Sequence, residues 1–178
     1  MPSFTERRKY VRDLVIFAVL GSMVFVSRFV TQILPPNVHI VAALLATYTI
    51  VYRWRALIPL YIFVILDGAF RGFEPWWIPF LYVWLPLWAI FMVVGKIKMR
   101  KETQIPLYMF LCALHGMAFG TLFAPFHALW LNLSWDQMLA WISAGLGFDI
   151  AHAIGNFAAG LLIIPLAQTL RQLEKQML

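Results

Sequence analysis

Six apolar runs, most of them approaching the roughly 17 to 25 residues that carry a helix across a bilayer, take up most of this chain and dictate what it can fold into. They lie near Asp13 to Leu34, Val38 to Tyr52, Ala56 to Phe70, Trp77 to Gly95, Pro106 to Leu131 and Leu139 to Ala167. With 62% hydrophobic and only 12% charged residues, a water-soluble fold could not cover its surface with polar groups. The expected fold is an all-α membrane protein, a single domain over residues 1–178 with six transmembrane helices.

Charge placement orients these spans. The net charge of +6 would suggest nucleic acid in a soluble protein, but here twelve of the fourteen Lys and Arg fall in alternate connections. These are Arg7, Arg8, Lys9 and Arg12; Arg53 and Arg55; Lys96, Lys98, Arg100 and Lys101; and Arg171 and Lys175. The positive-inside rule then puts both termini in the cytoplasm, and no nucleic-acid partner is expected. The basic start before an apolar run has the outline of a signal peptide. Because that run ends in Ile33-Leu34-Pro35-Pro36 without a small-residue cleavage site, a retained first span is expected. Cys112, the single cysteine, excludes a disulfide framework and a paired-thiol metal site.

The last span carries an acid, a histidine and an amide. At about 100° per residue, Asp149, His152 and Asn156 fall in one sector of roughly 60°. A carboxylate near a bilayer centre costs about 2.5 to 3.5 kcal/mol on insertion scales, so such a stripe is a functional site by default. An interhelical clasp, worth only about 0.6 kcal/mol on average, is the plainer alternative. The fifth span offers a small-residue line, Gly116, Gly120 and Ala124, expected to meet Ala151, Gly155 and Ala159 of the last span. His127 continues that line beyond Pro125, whereas His115 points about 140° away from its centre, so His127 is the better site candidate. Ser134 or Asn132 can cap the start of the last helix.

The first span has a small-xxx-small pair, Ala18 and Ser22, with Gly21 beside it, where another helix can approach closely. Its outer half, Ser27, Arg28, Thr31 and Gln32, is polar; Arg28 needs a partner, either Asp149 or Asp67. The second and third spans look short. Asp67 to Trp77 forms an outer loop of mixed charges, glycines and aromatics that can close over a site. Trp77, Trp84 and Trp88 share a face of the fourth span, and Trp84 can stack on a flat heterocycle.

Several chemistries are missing. No Walker loop, His-Glu-x-x-His or Gly-x-Ser-x-Gly motif occurs, and His152 with Asp149 lacks a third metal ligand. Neither an enzyme nor a cofactor is expected, and neither half restates the other as an inverted repeat would.

Taken together, the length, the six spans, the Ala18–Ser22 pair and the polar, aromatic outer half resemble the S component of energy-coupling factor (ECF) transporters. The segments Ala43 to Arg53 and Gly120 to Pro125 are similar to bacterial members of that family. The resemblance covers the whole chain. It implies a bacterial cell-membrane subunit that captures a vitamin or related trace nutrient from outside with the last three spans and two capping loops. It also implies a transmembrane coupling subunit and two cytoplasmic ATPases as partners, besides membrane lipid. Ala18 and Ser22 fall where the family has an Ala-x-x-x-Ala pair that meets the coupling subunit, with Ser in place of the second Ala. Asp149, His152, Asn156, His127 and Trp84 lie on elements that would line the pocket. A cell-envelope scaffold and a stand-alone ion-coupled carrier, with Asp149 or Arg28 as coupling charge, are the competing readings.

Overall fold

The computed structural model describes residues 4–30 and 39–176. All regular structure among them is helical. In chain order the α-helices are α1 (Phe4–Val30), α2 (Val41–Tyr52), α3 (Leu57–Arg71), α4 (Leu85–Val94), α5 (Lys101–Met117), α6 (Phe119–Trp130), α7 (Trp135–Ala159) and α8 (Ile163–Gln176). Short 3-10 segments at Arg53–Ala56, Pro75–Leu81 and Gly160–Leu162 join some of them. The expected end of the first span at Leu34 to Asn37, the polar residues Thr31 and Gln32, and the start of the second span at Val38 lie outside the described residues.

Five stretches are long and apolar enough to cross a membrane: Glu6–Val30, Val41–Arg71, Pro75–Val94, Lys101–Trp130 and Trp135–Gln176. These mark a multi-pass membrane protein. The count is five because the second and third apolar runs form one nearly unbroken helical stretch. That stretch nevertheless reverses. Phe17 packs edge-on against Tyr52 at 5.3 Å, and the Tyr48 hydroxyl donates to Leu20 O, so α2 runs antiparallel to α1. Arg55 reaches Asp13 and Arg28 reaches Asp67, so α3 runs parallel to α1. The reversal sits at Arg53, whose φ of 58° lies in the left-handed region that few non-glycine residues adopt. The Arg53 guanidinium holds the turn by donating to Met92 O.

The core is built around α2. At 12 residues it is about 18 Å long, and every residue from Val41 to Ile50 is buried. Its polar groups there are tied down: Tyr48 bonds Leu20 O, and Thr47 and Thr49 each donate to the carbonyl four residues back, at 2.7 Å. A hydroxyl satisfied by its own helix can sit in an apolar core at little cost. The helix is short because it is enclosed by its neighbours and need not span alone.

Prolines explain where the fourth run departs from a continuous helix. Pro75 opens a 3-10 segment and Pro79 sits inside it; Pro86 lies in the first turn of α4, where its missing N–H costs nothing. The fifth run breaks at Ala118, seven residues before Pro125. Ser134 caps α7 in a reciprocal capping box with Gln137, while Asn132 takes a φ of 51° in the preceding turn.

Candidate functional site

The polar stripe on α7 divides between two surroundings. Asp149 accepts from the Gly120 backbone N–H at 2.9 Å. That N–H belongs to the first turn of α6, where a helix has no internal partner for its donors and favours a negative charge. Asp149 therefore caps the second half of the broken fifth run. Arg28 pairs instead with Asp67, at 3.0 Å, which closes the alternative that it meets Asp149. Arg71 reaches the same Asp67 oxygen at 2.7 Å. Asn156 also turns to the fifth run, donating from Nδ2 to Cys112 O at 3.3 Å.

These contacts define a seam. A methyl group on Gly116 would come within 2.9 Å of the Ala153 Cα, and one on Gly160 within 2.6 Å of the Met109 Cα. The line that meets α5 and α6 is thus Asp149, Ala153 and Asn156 of α7 with Gly160 just after it, rather than Ala151, Gly155 and Ala159. The expected close approach exists but is rotated toward the polar stripe, because the polar groups need the backbone of α5 and α6 as partners.

His152 stands between Asp149 and Asn156 and faces elsewhere. It is fully buried, and neither ring nitrogen has a hydrogen-bond partner among the described residues. Its ring lies 4.6 Å from Phe119 and 4.8 Å from His39. Trp84, almost fully buried at the start of α4, packs on Phe119 at 5.4 Å and lies 6.2 Å from His39. His115 stacks on Trp84 at 5.4 Å with an interplanar angle of 28°. The His115 Nε2 is 2.8 Å from Val83 O, in the turn that precedes α4. The Trp84 indole N–H, His115 Nδ1, His39 Nδ1 and Asn156 Oδ1 are likewise buried without a partner among the described residues. A buried polar group left unpaired costs about 1 to 3 kcal/mol. Several in one place require a reason.

Two members of this nest escaped the sequence analysis. His115 points away from the small-residue line, and that direction aims it at Trp84. His39, beside the start of α2, carries no periodic signal. Conversely, His127 lies farther toward the α6–α7 turn, stacked on Trp141 at 4.9 Å and beside Trp130, and does not join the nest.

The Asp67 to Trp77 segment folds back on its own helix. Gly72, at a φ of 95°, ends α3; the Trp77 indole donates to Val64 O at 2.8 Å, and Phe73 packs on Trp77 at 4.9 Å. Trp76 reaches Phe80 at 6.0 Å, and Phe80 reaches Trp84 at 6.4 Å, so an aromatic path links this segment to the nest. Arg28 lies over the Phe80 ring at 4.5 Å.

Set against protein-family models, curated proteins and solved structures, the chain matches none.

The partner-contact candidates lie apart. Gly21 is buried against Pro59 and Ile62 of α3, whereas Ala18 and Ser22 face outward with Met23 and Val26 along a shallow groove of ≈ 580 Å³. The small residues of α1 thus serve two surfaces. No group of three or more metal-binding side chains occurs among the described residues.

Proposed function

We propose that this chain is the substrate-binding membrane subunit of an ECF-type transporter in a bacterial cell membrane. In this reading it takes a small nutrient from outside for uptake driven by partner ATPases. The observation that carries it is the nest of His39, Trp84, His115, His152 and Asn156. Elsewhere at depth, Thr47, Thr49, Asp67 and Asp149 are matched with partners, and the Tyr82 hydroxyl and Trp88 N–H are two further unmatched atoms; here several polar atoms are gathered and left unmatched among aromatic rings. A ligand site has that composition. We read six passes with both termini cytoplasmic. This is supported by the opposed directions of α2 and α3 and by the basic residues grouped at the Arg53 end of the bundle. Ala18 and Ser22 then face a coupling subunit, whose helix would lie in the α1 groove.

Reconstitution tests this. The chain should co-purify with a transmembrane coupling subunit and two ATPases and support ATP-dependent uptake. Bulky residues at Ala18 or Ser22 should abolish uptake while sparing ligand binding; intact uptake with Ala18→Trp and Ser22→Trp would remove the coupling role.

A scaffold protein of the cell envelope is the second reading. It is favoured by the hydrogen bonds of Asp149 and Asn156 to the α5–α6 backbone, which hold helices together and bind no solute. His152 favours capture, because a scaffold has no use for a buried imidazole without a partner.

A further inference from the structure

The hydrogen-bond polarity of the nest narrows what it can hold. Val83 O can only accept, so the neutral His115 ring carries its proton on Nε2, and its Nδ1 is an acceptor. Asn156 spends an N–H on Cys112 O, which leaves its Oδ1 as a second acceptor. The Trp84 indole N–H is a donor, and a neutral His152 supplies one of each kind. A carboxylate or a fully ionised phosphate ester, which only accepts, would leave both fixed acceptors unmet. A cation finds no carboxylate, since Asp149 is held by Gly120 and Asp67 by two arginines, while Arg28 lies one ring away over Phe80. What fits is neutral and carries donors and acceptors together.

Shape narrows it further. The lining is aromatic: His115 stacks on Trp84 at 28°, while Phe119 meets His152 edge-on at 72°. His39 lies between Trp84 and His152, touches both, and comes from the connection before α2 rather than from a helix of the bundle. Its imidazole is itself a small, flat, neutral nitrogen ring with a donor and an acceptor.

Resting on the capture reading above, we propose that the nest binds an uncharged, flat nitrogen heterocycle whose edge carries an amino group or ring N–H beside a ring nitrogen or carbonyl, of the aminopyrimidine, purine or pterin kind, and that His39 holds the ring's place in the unliganded protein. The ligand takes the place of the His39 ring beside Trp84 and His152, donates to Asn156 Oδ1 and His115 Nδ1, and accepts from the Trp84 N–H. His152 matches whichever group remains.

The test is thermal unfolding and equilibrium binding of the purified full-length protein against adenine, guanine, cytosine, pterin and 4-amino-2-methylpyrimidine. Each is paired with a form methylated on its donor nitrogens, alongside arginine, spermidine, succinate, phosphate and nickel ion. At least one ring should raise the Tm saturably. Methylation should then weaken binding tenfold or more, as should His152→Leu and Asn156→Leu, whereas His39→Ala should bind equally or several-fold more tightly. A tenfold loss with His39→Ala overturns its role as place-holder. If only a non-ring solute raises the Tm and needs His152, the ring class is overturned and capture stands. If nothing in the panel raises the Tm, both are overturned.

Discussion

Asp149 and His152 are less than one turn apart on α7, and they meet opposite conditions. The seam of Asp149, Ala153, Asn156 and Gly160 against α5 and α6 is closed: Gly116 and Gly160 each admit a backbone, and Asp149 and Asn156 each bond a main-chain group. The nest, a short distance around the same helix, gathers polar atoms with no such partners. Polar residues at membrane depth therefore do not all announce the same thing. A polar atom with a main-chain partner serves as a clasp, and one without marks a place where something else is expected to bind.

Four substitutions would break or sharpen this contrast. The largest effect belongs to the seam itself: Gly116→Val should destabilise by about 3 kcal/mol, because its added carbons meet the α7 backbone and overpacking costs of that order. Thermal unfolding in detergent measures it, and an unchanged Tm would mean that α5 and α7 do not touch there. Next comes Asp149→Ala, which removes the cap of α6 and should cost about 1.5 kcal/mol. The same variant should leave ligand affinity unaltered; a large loss of binding would move Asp149 from the seam to the nest. His152→Leu should act in the other direction, stabilising by roughly 1 kcal/mol because two unpaired buried nitrogens are replaced by carbon. Destabilisation would show that His152 has a structural partner. The smallest effect is expected at Thr47→Val, within about 0.5 kcal/mol, since that hydroxyl bonds only its own helix and the shape is kept. A loss several times larger would show that hydroxyl-to-backbone bonds in α2 matter as much as the seam.

The sequence made some of this plain and hid the rest for identifiable reasons. Apolar runs and basic connections show an all-helical membrane protein, because their signal is summed over many residues. The Ser134 cap was readable because capping needs only residues next to each other in the chain. The break at Ala118 was not: the visible helix-breaker was Pro125, while the compensating group, Asp149, lies 29 residues beyond the Gly120 it bonds. The stripe of Asp149, His152 and Asn156 was found by periodicity, but periodicity gives a direction and not a partner. His115 and His39 were missed because the nest is drawn from four separate parts of the chain, at positions 39, 84, 115 and 152, and only folding brings them together.

The two ion-paired ends of α1 have a mechanical consequence. Asp13 holds Arg55 at 2.6 Å near one end of the α1–α3 pair, and Arg28 holds Asp67 at 3.0 Å near the other. Along α1 these fasteners stand about 22 Å apart, with Gly21 pressed on Pro59 and Ile62 between them. One fastener is a pivot, but two make a beam. A push on the groove that holds Ala18 and Ser22 would thus be delivered, without slack, to Gly72 through Trp77 at the far end of α3.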